Sequence, residues 1–168
     1  MKRSPARIIK NRLSSLAARP LRRERLAPGQ LTSLEPRRIL IVRQHNQMGD
    51  MVCATPALRA IRETWPAAAI TLVTAPVNVE VVRHCPLLDR VLTFDQRLWR
   101  RPPALLRFLR ELRAGRPELT FVLSSVSFSV TSAFLGLLSG SRWVVGGDSR
   151  PYGWDLSAVA FSLEMPSQ

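Results

Sequence analysis

The chain has 168 residues, 46% of them apolar, which is enough for one domain with a real core and excludes wholesale disorder. Its net charge of +13 is unevenly placed: residues 1–38 hold eleven Lys/Arg against two acids, and residues 39–168 hold fourteen against ten. Nearly all of the excess is Arg, which suits phosphate or carboxylate partners or reflects a bias of composition without functional meaning.

Residues 1–36 read as a basic extension. Ile9, Leu13, Leu16 and Ala17 share one helical face among Arg7, Lys10, Arg12 and Arg19, so residues 7–19 form a short amphipathic helix suited to an anionic membrane surface. A disordered extension fits the same composition. The first 25 residues lack the apolar centre of a signal peptide. Leu21 to Pro36, with Pro28-Gly29, reads as a linker.

From Arg37 the pattern alternates. Strands are expected at Ile39–Arg43, Ile70–Thr74, Val91–Phe94, Leu119–Leu123 and Arg142–Val145. Helices are expected at Thr55–Thr64, with Thr55 as cap and Pro56 in the first turn; at Asn78–His84; at Pro102–Ala114; and at Val130–Leu138, ended by Gly140. The third of these places Leu105, Leu106, Leu109 and Leu112 on one side and Gly115 at its C-cap. The uncharged run Leu119–Ser141 is long enough to span a bilayer. Its serines and its change of period favour a buried strand followed by a buried helix. Alternating strands and helices predict an α/β fold, a Rossmann-like parallel sheet of about five strands over residues 37–168. Beyond Gly147 no element emerges. Cys53 and Cys85 sit among apolar residues without metal-ligand spacing, which predicts buried thiols in a reducing compartment and no zinc.

The loop after the first strand is the best candidate for chemistry. Asp50 is the only acid between Glu35 and Glu63. A carboxylate at a strand end can take a proton from a hydroxyl; it can equally cap the next helix. His45 is a candidate partner or a solvated loop residue. Gly49 allows a tight turn or the close approach of a ligand. The dinucleotide and P-loop fingerprints are absent, which argues against a nicotinamide enzyme and a P-loop NTPase. Ser124, Ser125 and Ser127 end the fourth strand at the same sheet edge, where they either touch a polyol ligand or serve as turn and cap residues. Arg97, Arg100 and Arg101 with Trp99 either hold an anionic or sugar ligand or form a solvated basic loop.

Three blocks together carry a family resemblance: R-I-L-I-V-R-x5-G-D-M-V-x-A-T-P-A-L-R-A-I-R, W-P-A-A-x-I-T-L-V-T and P-L-L-D-R-V-L-T-F-D. Over Arg38 to Gly147 the chain resembles the N-terminal half of glycosyltransferase family 9, whose best-known members are the ADP-heptose:lipopolysaccharide heptosyltransferases. The resemblance implies the acceptor half of a GT-B fold and an inverting, metal-independent transfer of a heptose or related sugar from a nucleotide-sugar to a lipopolysaccharide core, with no cofactor. It makes Asp50 the catalytic base and Gly49 its neighbouring glycine. It turns Arg43 toward anionic groups of the acceptor; the nearby polar residues Gln44, His45, Gln47, Ser124 and Ser125 are candidate acceptor contacts by their place at the same sheet edge. The family's loop is usually Ser-rich, whereas here it is Gln44-His45-Asn46-Gln47. A GT-B enzyme needs about twice this length for its two domains, so the donor domain is expected to be absent and supplied in trans. The expected location is cytoplasmic, peripheral on the inner membrane face, and nucleic acid is not an expected partner. The alternative is a non-catalytic, membrane-associated binding module or a truncated relic.

Overall fold

In the computed structural model the described residues are Leu13, 24–44, 47–123, 128–152 and 156–165. Strand β1 runs over Arg38–Arg43. Its residues Ile39 to Val42 are each at most 2% exposed, so both faces of the strand are covered, and each side chain contributes about 2 kcal/mol through burial. The chain continues through helix α1 (Met48–Cys53), α2 (Thr55–Thr64), β2 (Ala69–Thr74), α3 (Val79–Val82) and β3 (Arg90–Thr93). It then forms α4 (Pro102–Ala114), β4 (Leu119–Val122), α5 (Val130–Leu138), β5 (Trp143–Gly147), α6 (Leu156–Ala160) and β6 (Leu163–Met165).

The strands form one parallel sheet in the order β3-β2-β1-β4-β5-β6. Ile39 lies opposite Ile70 on one side and Leu119 on the other. Alternation along β1 sorts its side chains. Ile39 and Ile41 pack with Met51, Leu58 and Ile61 of α1 and α2. Leu40 and Val42 pack with Phe108 and Leu112 of α4 and Leu135 of α5. The run Leu119–Ser141 resolves into β4 and α5, and no helix among the described residues is long and apolar enough to cross a membrane.

The sheet has six strands rather than about five. The additional strand, β6, is only three residues long, too short to show a period. Leu26, Leu31 and Leu34, within the stretch read as a linker, join the cluster that contains Phe121, Val145 and Leu163. The Leu26 amide donates to Ser162 O, and Trp65 Nε1 donates to Leu34 O at 2.7 Å. Of the helix expected over residues 7–19, only Leu13 lies within the described residues; it is helical and exposed.

Three local expectations need correction. Leu106 is 54% exposed, because the core side of α4 is already filled by Phe108 and Leu112. Cys53 is exposed and Cys85 half-buried, since the short α1 turns only Met51 fully inward. Thr55 is the first residue of α2 and does not cap it; Ala54 holds that place without a side-chain bond, because α1 leads almost directly into α2. Pro56 does lie in the first turn, and Gly140 takes the positive φ of 83° after α5. Gly115 is the C-cap of α4, as expected, with a right-handed helical φ of −66°, and the left-handed residue that follows is Arg116 (φ 45°).

Candidate active site

The strand order places a topological switch between β1 and β4. The connections leaving these two neighbours run in opposite directions along the sheet, which opens a crevice at their carboxyl ends, the usual place for a ligand in an open parallel sheet. The loops concerned are residues 44–47 and 123–129. His45, Asn46, Ser124, Ser125 and Ser127 lie outside the described residues.

Arg43 closes β1. By the two-residue period it shares the face of Ile39 and Ile41, so its side chain runs beneath α1. It is 2% exposed. Its Nε and Nη2 donate to the main-chain carbonyl of Asp50 at 3.1 and 2.7 Å. Burial lowers the pKa of the guanidinium, and the charges of Asp50 and Cys53 oppose that shift. The planar fork suits this two-point grip on one oxygen; a lysine ammonium would not match it.

Asp50 is the third residue of α1 and the only acid in its first turn. It does not cap the helix: Gln47 occupies the cap position, and no backbone N–H donates to the Asp50 carboxylate among the described residues. Its Oδ2 stands 3.9 Å from Arg43 Nη2, and the side chain is 19% exposed. The residue is therefore fixed through its main chain while its carboxylate keeps access to solvent. Such a group can accept a proton from a hydroxyl brought within hydrogen-bond reach.

Gln44 points the other way. It is 3% exposed, and its amide is used within the protein. Nε2 donates to Phe94 O at 3.4 Å, and Oε1 accepts from Gln96 Nε2 at 3.2 Å. Its main-chain N–H donates to Ser132 Oγ at 3.2 Å, tying β1 to α5. Gln96 and Ser132 are the residues around the loop that the sequence did not single out; both are polar side chains far away in the chain, and only the fold brings them to Gln44.

Gln47 and Gly49 are exposed on the rim. Gly49 is helical, without a positive φ, and a Cβ there would meet nothing within 4 Å. The tight-turn reading of this glycine is therefore wrong, and open space lies above it beside Asp50. Met48, Val52 and Val77 are 49, 58 and 44% exposed, so the same rim carries apolar side chains. A 3-10 turn at Gln96–Arg100 follows β3 at this edge. Its Trp99 packs edge-on against the buried Phe94, with ring centroids 5.7 Å apart.

The opposite edge is less suited to chemistry. A cavity of about 210 Å³ opens there, lined by Arg38, Leu40, Thr71, Arg90, Leu92 and Glu111 among others. Its charges are already paired, Arg38 with Glu118 and Arg90 with Glu111. Among the described residues no three His, Cys, Asp or Glu side chains converge as metal ligands.

No protein-family model matches the sequence, and no curated protein matches it. Solved structures do. The chain is similar to E. coli heptosyltransferase WaaC with ADP, at 22% identity and a TM-score of 0.62 over 77% of this chain and 40% of that one. It is similar to a glycosyl transferase of family 9 from Veillonella parvula, at 21% identity and a TM-score of 0.58 over 70% and 33%. It is also similar to E. coli ADP-heptose lps heptosyltransferase II, at 20% identity and a TM-score of 0.54 over 69% and 32%. The chain thus matches about a third to two fifths of the length of these structures. At this identity the likeness concerns the fold, and it agrees with the resemblance carried by the three sequence blocks: the chain has the parallel α/β fold found in part of family 9 glycosyltransferases.

Proposed function

We propose that this chain is the acceptor-side unit of an inverting glycosyltransferase. It moves a heptose or related sugar from a nucleotide-sugar, such as ADP-heptose, to a lipopolysaccharide core or another glycolipid acceptor. The single observation that carries the reading is the placement of Asp50: a partly exposed carboxylate at the switch-point edge, its main chain gripped by the buried Arg43. In the proposed step Asp50 accepts the proton of an acceptor hydroxyl. The freed oxygen forms a bond to the anomeric carbon from the face opposite the leaving group. The bond from that carbon to the nucleotide's phosphate oxygen breaks, its electron pair leaves with the diphosphate, and the configuration inverts. Gln47, Gly49, His45, Ser124 and Ser125 would line the acceptor's approach, and Arg43 and Gln44 would shape it from beneath. The nucleotide end would be held by a donor-binding domain facing this unit. The exposed apolar side chains of Met48, Val52 and Val77 on the rim support a surface that a further domain or acceptor covers.

The test is sugar transfer from ADP-heptose to core oligosaccharide, with and without an added donor domain. Transfer that appears only with the donor domain, and falls about a hundredfold or more in Asp50→Asn with folding intact, supports the reading. Wild-type rates in Asp50→Asn would reject the base, and turnover by the chain alone would reject the need for a donor domain.

A further inference from the structure

A second surface lies outside this site. Among residues 39–168, the segment Asp95–Arg110 holds five arginines (97, 100, 101, 107 and 110) against the single acid Asp95; the rest of that span holds nine arginines against nine acids. The whole positive excess of the folded part therefore sits on one short stretch. All five arginines are exposed, and none forms an ion pair among the described residues. Elsewhere most arginines are engaged: Arg62 with Asp89, Arg83 with Glu80, Arg90 with Glu111, Arg142 with Glu24 and Arg150 with Asp148. Asp95 is half-buried and turned to the main chain, accepting from Arg97 N at 2.8 Å.

The arginines share their surface with apolar side chains. The turn at Gln96–Arg100 packs on α4, with Leu98 and Leu105 inward on the same cluster. On α4, helical spacing sets Pro103, Leu106, Arg107 and Arg110 on the face opposite Leu105, Phe108 and Leu112. Leu106 is 54% and Trp99 40% exposed. The Trp99 ring is braced by Phe94, itself fully buried, so it projects as a fixed wedge.

The geometry points to an anionic bilayer as the partner of this face. Five unpaired guanidinium groups complement anionic headgroups. A braced Trp and an exposed Leu among them suit the headgroup–acyl boundary, where an amphipathic ring or an apolar side chain gains by leaving water. A nucleic-acid partner would use the same charges but would leave Leu106 unexplained. Gln96, in the same turn, is hydrogen-bonded to Gln44 at the end of β1, so the face hangs from the edge that carries Asp50. That a docked bilayer would bring a glycolipid acceptor to that edge rests on the proposed transferase reading; the docking itself does not.

The experiment uses the full chain and reads no activity. Vesicles of phosphatidylglycerol with phosphatidylcholine are titrated while tryptophan emission and its quenching by brominated acyl chains are followed. A blue-shifted, quenchable component is expected that is missing in Trp99→Phe. Apparent affinity is expected to fall about tenfold or more in the Arg97→Gln/Arg100→Gln/Arg101→Gln variant, and added salt is expected to weaken binding of the wild type. The difference between wild type and Trp99→Phe isolates this face from the basic residues 1–36. Equal quenching in wild type and Trp99→Phe would overturn the proposal, as would equal affinity in the folded triple variant. Displacement of the vesicles from Trp99 by an oligonucleotide of similar charge would assign the face to nucleic acid instead.

Discussion

Arg43 grips Asp50 through its main chain, with Nη2 2.7 Å and Nε 3.1 Å from the carbonyl oxygen, while the carboxylate Oδ2 stands further off at 3.9 Å. The geometry makes Arg43 a positioning residue: it sets where residue 50 lies and leaves the carboxylate available. Replacing Arg43 by Met would leave the Asp50 carbonyl without its donors and should cost about 2 kcal/mol in urea unfolding. Arg43→Lys keeps the charge and loses the fork, with an expected cost of about 1 kcal/mol. If the proposed function holds, both lower kcat more than they raise KM, because the base is displaced while the acceptor surface remains.

The two roles considered for Gly49 separate under one substitution. Its helical backbone and open surroundings predict that Gly49→Ala stabilises the chain by about 0.5 to 1 kcal/mol, since alanine lowers the entropy of the unfolded chain and favours the helix. The same methyl group would stand where an acceptor is proposed to approach. A raised melting temperature together with a raised KM for acceptor is the expected pair of results; an unchanged KM would remove Gly49 from the acceptor surface.

Gly146 gives the opposite result. A Cβ there would lie 2.6 Å from Cε2 of Phe161, a ring only 1% exposed and packed against Phe128. Having no room to move, the ring should make Gly146→Ala cost about 2 kcal/mol, read as a lower urea midpoint with an unchanged slope.

Asp89 predicts part of the acid limb of stability. The Ile70 N–H, donating at 2.7 Å, is the main cause that holds its carboxyl below the usual range, with the hydrogen bond and charge of Arg62 adding to it. A lowered folded pKa gives stability that is present above the unfolded value of about 3.9 and is lost as pH falls through the folded one. Asp89→Asn should therefore flatten the decline in stability below about pH 4. Because the carboxylate is 53% exposed, the loss at neutral pH should stay under about 1 kcal/mol.

Trp65 ties the early segment to the core through its bond to Leu34 O and its contact with Phe121, ring centroids 5.7 Å apart. Trp65→Phe should cost about 1 kcal/mol for the lost hydrogen bond. Hydrogen exchange at the Leu26 amide, which donates to Ser162 O, should accelerate before exchange in β1 does, because the segment opens locally.

What the sequence by itself determined were the elements whose chemistry is local. Ile39 to Val42 had to be a covered strand, Pro102 to Ala114 a helix with one apolar face, and Leu119–Ser141 a buried strand and helix; each carries its own period and its own stop residues. The parallel α/β class followed from their alternation, and Asp50 stood out as the only acid in its stretch. Tertiary structure alone decided the strand order that opens the crevice beside Asp50, the pairing of the three-residue β6 with β5, and the burial of two polar side chains. Arg43 and Gln44 look like surface residues because burial of a charge or an amide is unfavourable without partners. Their partners are the carbonyl of Asp50, Phe94 O, Gln96 and Ser132, most of them many residues away. Whether a polar side chain is buried depends on those distant groups converging, and a local pattern carries no record of that convergence.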